Sequence, residues 1–116
     1  EVTDSEYEGG LEAADDIASN RDKKLGVFCA SDTVALGLLD ALRNQHGVRV
    51  PEDLSLIGYD DIPQAAWVFA NLTTIKQSVN EFAKVTVDMM KARIAAPEAA
   101  PKSQVVDVTL VQRGTV

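Results

Sequence analysis

Two hydrophobic patterns alternate along the chain, and they predict different elements. "LGVFCA", residues 25–30, is apolar without interruption, which predicts a short strand covered on both faces and central in a parallel sheet. In "SDTVALGLLDALRNQHG" the apolar positions Val34, Ala35, Leu38, Leu39 and Leu42 recur at helical spacing, with Ser31 or Asp32 as the N-cap and Gly47 as a left-handed stop. A proline turn at Pro51 leads to a second apolar strand from about Leu54 to Gly58. Strand, helix and strand form a βαβ unit, whose crossover is almost always right-handed between parallel neighbours.

The flanks extend this pattern. Ser5 and Glu8 stand at capping-box spacing, so one helix is expected to begin there, with Tyr7, Leu11, Ala14, Ile17 and Ala18 on its apolar stripe. "IPQAAWVFANLTTIKQ" is broken by proline and predicts a short helix and a connection. A second capping box, Ser78 with Glu81, opens a helix that carries Val79, Phe82, Ala83, Thr86, Met89, Met90 and Ile94 on one face and ends at Pro97. "QVVDVTLVQRGTV" alternates as a last strand. The expected fold class is α/β, a parallel-sheet, three-layer βαβ architecture.

Composition narrows the setting. With 116 residues, 46% hydrophobic and 25% charged, the chain matches one globular unit at most. Eleven basic against 18 acidic residues give a net charge of -7, which makes it a poor binder of a phosphate backbone by itself. Cys29 is the single cysteine, so no internal disulfide forms, and its apolar surroundings predict burial. No apolar stretch approaches the roughly 18 to 20 residues of a membrane span, and the N-terminus lacks the pattern of an export signal. That terminus opens directly into a helix signal, so the chain reads as a piece cut from a longer one. His46, the only histidine, has no second ligand at metal spacing and suits a helix C-terminus. Neither a metal nor a cofactor is expected, and the "NLT" at 71–73 fits a glycosylation acceptor pattern.

The candidate chemistry lies where the two strands end. Parallel strands open at one edge of a sheet, and ligands of open α/β sheets bind in the crevice outside the carboxyl ends. One strand delivers Ala30-Ser31-Asp32 to that edge and the other delivers Tyr59-Asp60-Asp61. A carboxylate accepts several hydrogen bonds from neutral hydroxyls at once, so Asp60 is the first candidate for contact with a polyol or sugar. Asp32 is open to two readings, helix cap or ligand contact, and Asp61 is expected to cap the next turn or face solvent.

"SDTVALGLLDALRNQHGVRVPEDLSLIGYDDIPQA" followed by "LTTIKQ" resembles the LacI/GalR family of bacterial transcriptional regulators, and the likeness extends upstream through "DSEYEGGLEAA" and downstream to "LVQRG". The resemblance implies part of a periplasmic-binding-protein-like (type I) domain, with residues 1–71 and 103–116 in the C-terminal subdomain. Residues 72–96 would supply a crossover and a helix of the other subdomain, and the helix-turn-helix segment would lie outside this chain. It implies effector contacts from Asp60 and from Ser31, where family members usually have asparagine, with Asp32 beside them and Gln77 and Val79 approaching the cleft. Many members carry a ligand-stacking aromatic where this chain has Ser5. Dimer contacts would come from the helix bearing Leu36 and from Gln64, Trp67 and Val68, and an exposed tryptophan is an anchor type favoured in interfaces.

The function expected is effector sensing and dimerisation in a cytoplasmic DNA-binding regulator, with no bond made or broken and with operator DNA contacted only through the absent segment. The effector is expected to be sugar-like, although an aspartate and a serine accept a nucleobase as well. The alternative is a solute-binding protein that delivers sugar to an ABC transporter. A third reading makes the acidic pair a phosphoacceptor site that holds magnesium, which needs a further acid and a lysine nearby.

Overall fold

The computed structural model describes residues 6–20 and 23–116. Their elements run α1 Glu6–Glu12, α2 Ala14–Ala18, β1 Leu25–Phe28, α3 Asp32–Asn44, β2 Leu54–Asp60, a 3-10 turn Pro63–Ala66, β3 Thr73–Gln77, α4 Val79–Ala95 and β4 Val108–Val111. The chain is a mixed α/β fold whose four strands lie in the order β1-β2-β3-β4, with β1 parallel to β2 and β2 parallel to β3. It divides into two compact units, one ending at Lys76 and resuming over Leu110–Val116, the other Gln77–Thr109.

In the first unit α3 packs against β2, and α1 packs against α3. Ala35, Leu38, Leu39, Ala41 and Leu42 of α3 are buried together with Leu54 and Leu56 of β2. Each leucine so buried contributes about 1.5–3 kcal/mol relative to exposure. Helix α1 crosses α3 so closely that a β-carbon on Gly37 would collide with the Tyr7 carbonyl oxygen. Tyr7 also donates its hydroxyl to Asp40 at 2.6 Å, which fixes the pair along its length.

Three expectations change. The N-terminal helix is interrupted at Ala13, although the ladder nearly continues, since Ala13 N donates to Gly9 O at 3.2 Å and Ile17 N to Ala13 O at 3.3 Å. The capping box expected from Ser5 lies outside the described residues. Strand β1 stands at the end of the strand order instead of the centre, and Phe28 on its outer face is 60% exposed, edge-on to Tyr59. The last strand spans only Val108–Val111, shorter than the alternating run suggested.

In the second unit, Ser78 caps α4 by accepting from Glu81 N at 3.4 Å, as its spacing predicts. None of the residues of α4 is buried, and Val79, Phe82, Met90 and Ile94 are exposed. Arg93 closes the helix end by donating to Pro97 O and Ala99 O at 3.0 and 2.8 Å.

Candidate functional site

The site is built on the register of two strands. Phe28 pairs with Ile57, and the Cys29 amide continues the ladder to Ile57 O at 2.8 Å. Ser31 and Asp60 each stand three residues beyond that last pair, so both emerge at the same edge of the sheet. Strand β2 runs through to Asp60, two residues further than expected, and Asp60 pairs with Lys76 of β3 on its other side. Asp60 is exposed, whereas Ser31 is partly buried.

Ser31 is the N-cap of α3, accepting from Val34 N at 3.3 Å while its hydroxyl donates to Glu6 at 2.8 Å. Glu6 is thus a carboxylate at the rim that sequence reasoning missed. Its only signal was its place at the start of the first helix.

Asp32 does not sit on the rim. It is fully buried, with Oδ1 accepting from the Thr74 hydroxyl at 2.5 Å and Oδ2 from the Ile62 amide at 2.9 Å. Both oxygens are spent inside the protein, joining the start of α3, the turn after β2 and strand β3. The cap is therefore Ser31 and not Asp32. A carboxylate this deep needs its hydrogen bonds, since burying an unsatisfied one costs several kcal/mol.

Asp61 also departs from expectation. Instead of capping a turn or facing solvent, its side chain is 10% exposed and paired with Arg113 at 2.6 Å and Lys76 at 3.2 Å. Burial alone would push its carboxyl up, but the hydrogen bonds and charges of Arg113 and Lys76 outweigh this and hold it below the usual carboxylate range. Arg113 is itself fixed, donating Nη1 to Leu72 O at 2.8 Å and its amide to Thr73 Oγ1 at 2.9 Å. Both cations were visible as residues, but nothing in the chain marked them as partners of the acidic pair.

The other expected site residues fall as follows. Gln77 ends β3 and is partly buried, and Val79, the first residue of α4, is 76% exposed; both belong to the second unit. Leu36 packs partly buried against the core and Gln64 lies in the 3-10 turn. Trp67 is 51% and Val68 98% exposed, with the Trp67 and Phe69 rings 5.7 Å apart. Among the described residues no group of three His, Cys, Asp or Glu side chains could hold a metal ion, and no helix is long and apolar enough to cross a membrane.

Comparison with known proteins gives this geometry its context. A model of the periplasmic binding protein-like domain matches residues 1–116. The chain is 40% identical over 111 residues to the HTH-type transcriptional repressor PurR of Vibrio vulnificus, covering 96% of this chain and 33% of that protein. It is 35% identical over 111 residues to the ribose operon repressor of Haemophilus influenzae, again covering 96% of this chain and 33% of the relative. The chain thus spans about a third of the length of these relatives. A solved LacI family transcriptional regulator from Enterococcus faecalis V583, with bound ribose, superposes with a TM-score of 0.77 at 32% identity, over 94% of this chain and 40% of that one. A CelR–cellobiose complex superposes with a TM-score of 0.81 at 28% identity, over 95% of this chain and 33% of that one. The chain therefore belongs to the periplasmic binding protein-like domain family, in the form which that domain takes in LacI-family regulators.

Proposed function

We propose that this chain is the effector-sensing and dimerising part of a cytoplasmic LacI-type transcriptional regulator, with Asp60 and Ser31 contacting a sugar-like effector. The observation that carries the reading is the shared register of the two strands, which brings both side chains out at one sheet edge. The Asp60 carboxylate accepts from ligand hydroxyls, and the Ser31 oxygen, whose proton goes to Glu6, adds a further acceptor. The ribose and cellobiose held by structural neighbours support a hydroxyl-rich ligand. In this reading residues 1–71 and 103–116 form one subdomain, residues 72–96 supply a crossover and helix to the other, and Gln77 and Val79 approach the ligand from there. Operator DNA is contacted by a segment outside this chain.

The mechanism is one of differential affinity. Ligand favours the closed arrangement of two subdomains, and a dimer converts closure into a change in the spacing of its DNA-binding heads. Leu36, Gln64, Trp67 and Val68 form the dimer contact, and the exposed Trp67 and Val68 support that role. A thermal-shift series on the full-length protein against ribose, cellobiose and purines tests the reading. A rise in melting temperature with a sugar is expected, because binding stabilises the native state in proportion to occupancy. No shift with any sugar, together with operator binding that ignores all of them, overturns it.

A further inference from the structure

Asp60 and Asp61 both have positive φ, +117° and +56°. Side chains other than glycine rarely adopt this region, and two such residues in succession persist only where their surroundings hold them there. Asp60 itself pairs with Lys76 of β3, and further holding contacts lie immediately after it. Asp61 is gripped by Arg113 and Lys76, and the next amide, that of Ile62, is fixed by the buried Asp32. The two cations are not equivalent. Lys76 has a flexible stem and is 59% exposed, whereas Arg113 is 17% exposed and anchored to Leu72 and Thr73. An anchored guanidinium fixes a carboxylate in direction as well as distance, and an exposed ammonium does so far less.

We propose that Arg113, acting through Asp61, is a positioning residue: it holds the backbone of Asp60 at positive φ and so aims the Asp60 carboxylate at the effector. The inference rests on the reading of Asp60 as an effector contact. Released from Arg113, Asp61 loses the grip that offsets its strained backbone. The Asp60–Asp61 pair then relaxes toward negative φ, and at the end of a strand such a change turns the Asp60 side chain to a new direction. Arg113 touches no ligand in this account.

The test uses the full-length protein, with crystal structures and ribose titrations of wild type, Arg113→Met, Asp61→Asn and Asp60→Asn. Asp61→Asn keeps the shape of the side chain and leaves the bonds of Arg113 to Leu72 and Thr73 in place, so it reports even if Arg113→Met does not fold. Both variants are expected to bring Asp60 out of the positive-φ region and to weaken ribose binding on the order of tenfold. Added to Asp60→Asn, each is expected to cost no further affinity, a coupling that general destabilisation does not produce. Unchanged φ at residues 60 and 61 overturns the proposal, as does full additivity with Asp60→Asn. If wild type binds no ribose, the ribose form of the functional reading fails, and the φ comparison alone decides the positioning role.

Discussion

Asp32 and Gly58 approach each other so closely that a β-carbon on residue 58 would collide with the Asp32 carboxylate. The absence of a side chain at the end of the apolar run in β2 makes room for the carboxylate that ties α3 to β3 and to the turn beyond Asp61. Gly58→Ala is therefore expected to destabilise the protein by about 1–3 kcal/mol, the usual cost of overpacking. Urea denaturation measures it. In an Asp32→Ala background the same substitution is expected to cost much less, because the group it strikes is gone; an equal cost in both backgrounds would locate the strain elsewhere.

Asp32→Ala has its own consequence. It leaves the buried Thr74 hydroxyl and the Ile62 amide without their acceptor, and each such loss costs about 1–3 kcal/mol. A fall in the urea midpoint with an unchanged slope is expected, and a variant as stable as wild type would remove Asp32 from its bridging role.

Asp32 and Asp61 also mark the limit of what sequence reading reaches. Helix α3 and strands β1 and β2 were legible because their signals are local: a 3.6-residue stripe, apolar runs and a proline turn. The edge at which Ser31 and Asp60 emerge followed from parallel pairing alone. The partners of the buried acids were not legible, because Asp32 meets Ile62 and Thr74 at 30 and 42 residues' separation and Asp61 meets Arg113 at 52. No period or cap connects such positions; only the folded sheet does. Phe28 misled for a related reason, since an uninterrupted apolar run looks the same whether or not the chain itself supplies the cover for both faces.

The lowered pKa of Asp61 makes stability depend on pH in a definite direction. A carboxylate with a folded value below its unfolded one contributes stability that is fully present above the ordinary value of about 4 and is lost as pH falls through the folded value. Wild type should therefore lose stability below about pH 4 more steeply than Asp61→Asn, as followed by thermal melts at graded pH. Parallel curves for the two proteins would show that Arg113 and Lys76 do not favour the ionised form.

Burial, with the charge of Asp32 as a smaller cause, pushes the Cys29 thiol up to about 11. The thiolate is the reactive form, so Cys29 is expected to resist iodoacetamide at neutral pH in the native protein and to react once the chain is unfolded. Mass spectrometry of the alkylated protein reads this directly. Stability should also fall as pH rises above about 8.5, where only the unfolded chain ionises freely. Rapid labelling under native conditions would contradict the buried placement of the thiol.

The proposed dimer contact is tested at the exposed Trp67 and Val68. Aromatic anchors in the centre of an interface commonly account for 2 kcal/mol or more of association on truncation, about a thirtyfold change in dimer dissociation. Trp67→Ala in the full-length protein is expected to shift the equilibrium toward monomer, as read by sedimentation at matched concentrations. The same substitution should leave the melting temperature at high dilution nearly unchanged, because a side chain already half exposed contributes little to its own core. A loss of monomer stability with the dimer intact would assign Trp67 to the fold instead of the interface.

The sharpest expectation concerns Asp60. Its carboxylate sits at the exposed end of β2, so Asp60→Asn is expected to weaken effector binding with a smaller effect on folding than loss of a buried acid. An amide still accepts at one oxygen but loses the charge that strengthens each bond from a ligand hydroxyl, and a charge-assisted bond contributes about 1.5–3 kcal/mol against about 1 for a neutral one. The expected loss is on the order of two- to thirtyfold in affinity for whichever sugar stabilises wild type in the thermal-shift series. Isothermal titration gives that number, and chemical denaturation of the same variant separates it from a folding defect. If affinity is unchanged in a variant of normal stability, Asp60 is not an effector contact, and the shared edge of β1 and β2 serves the fold alone.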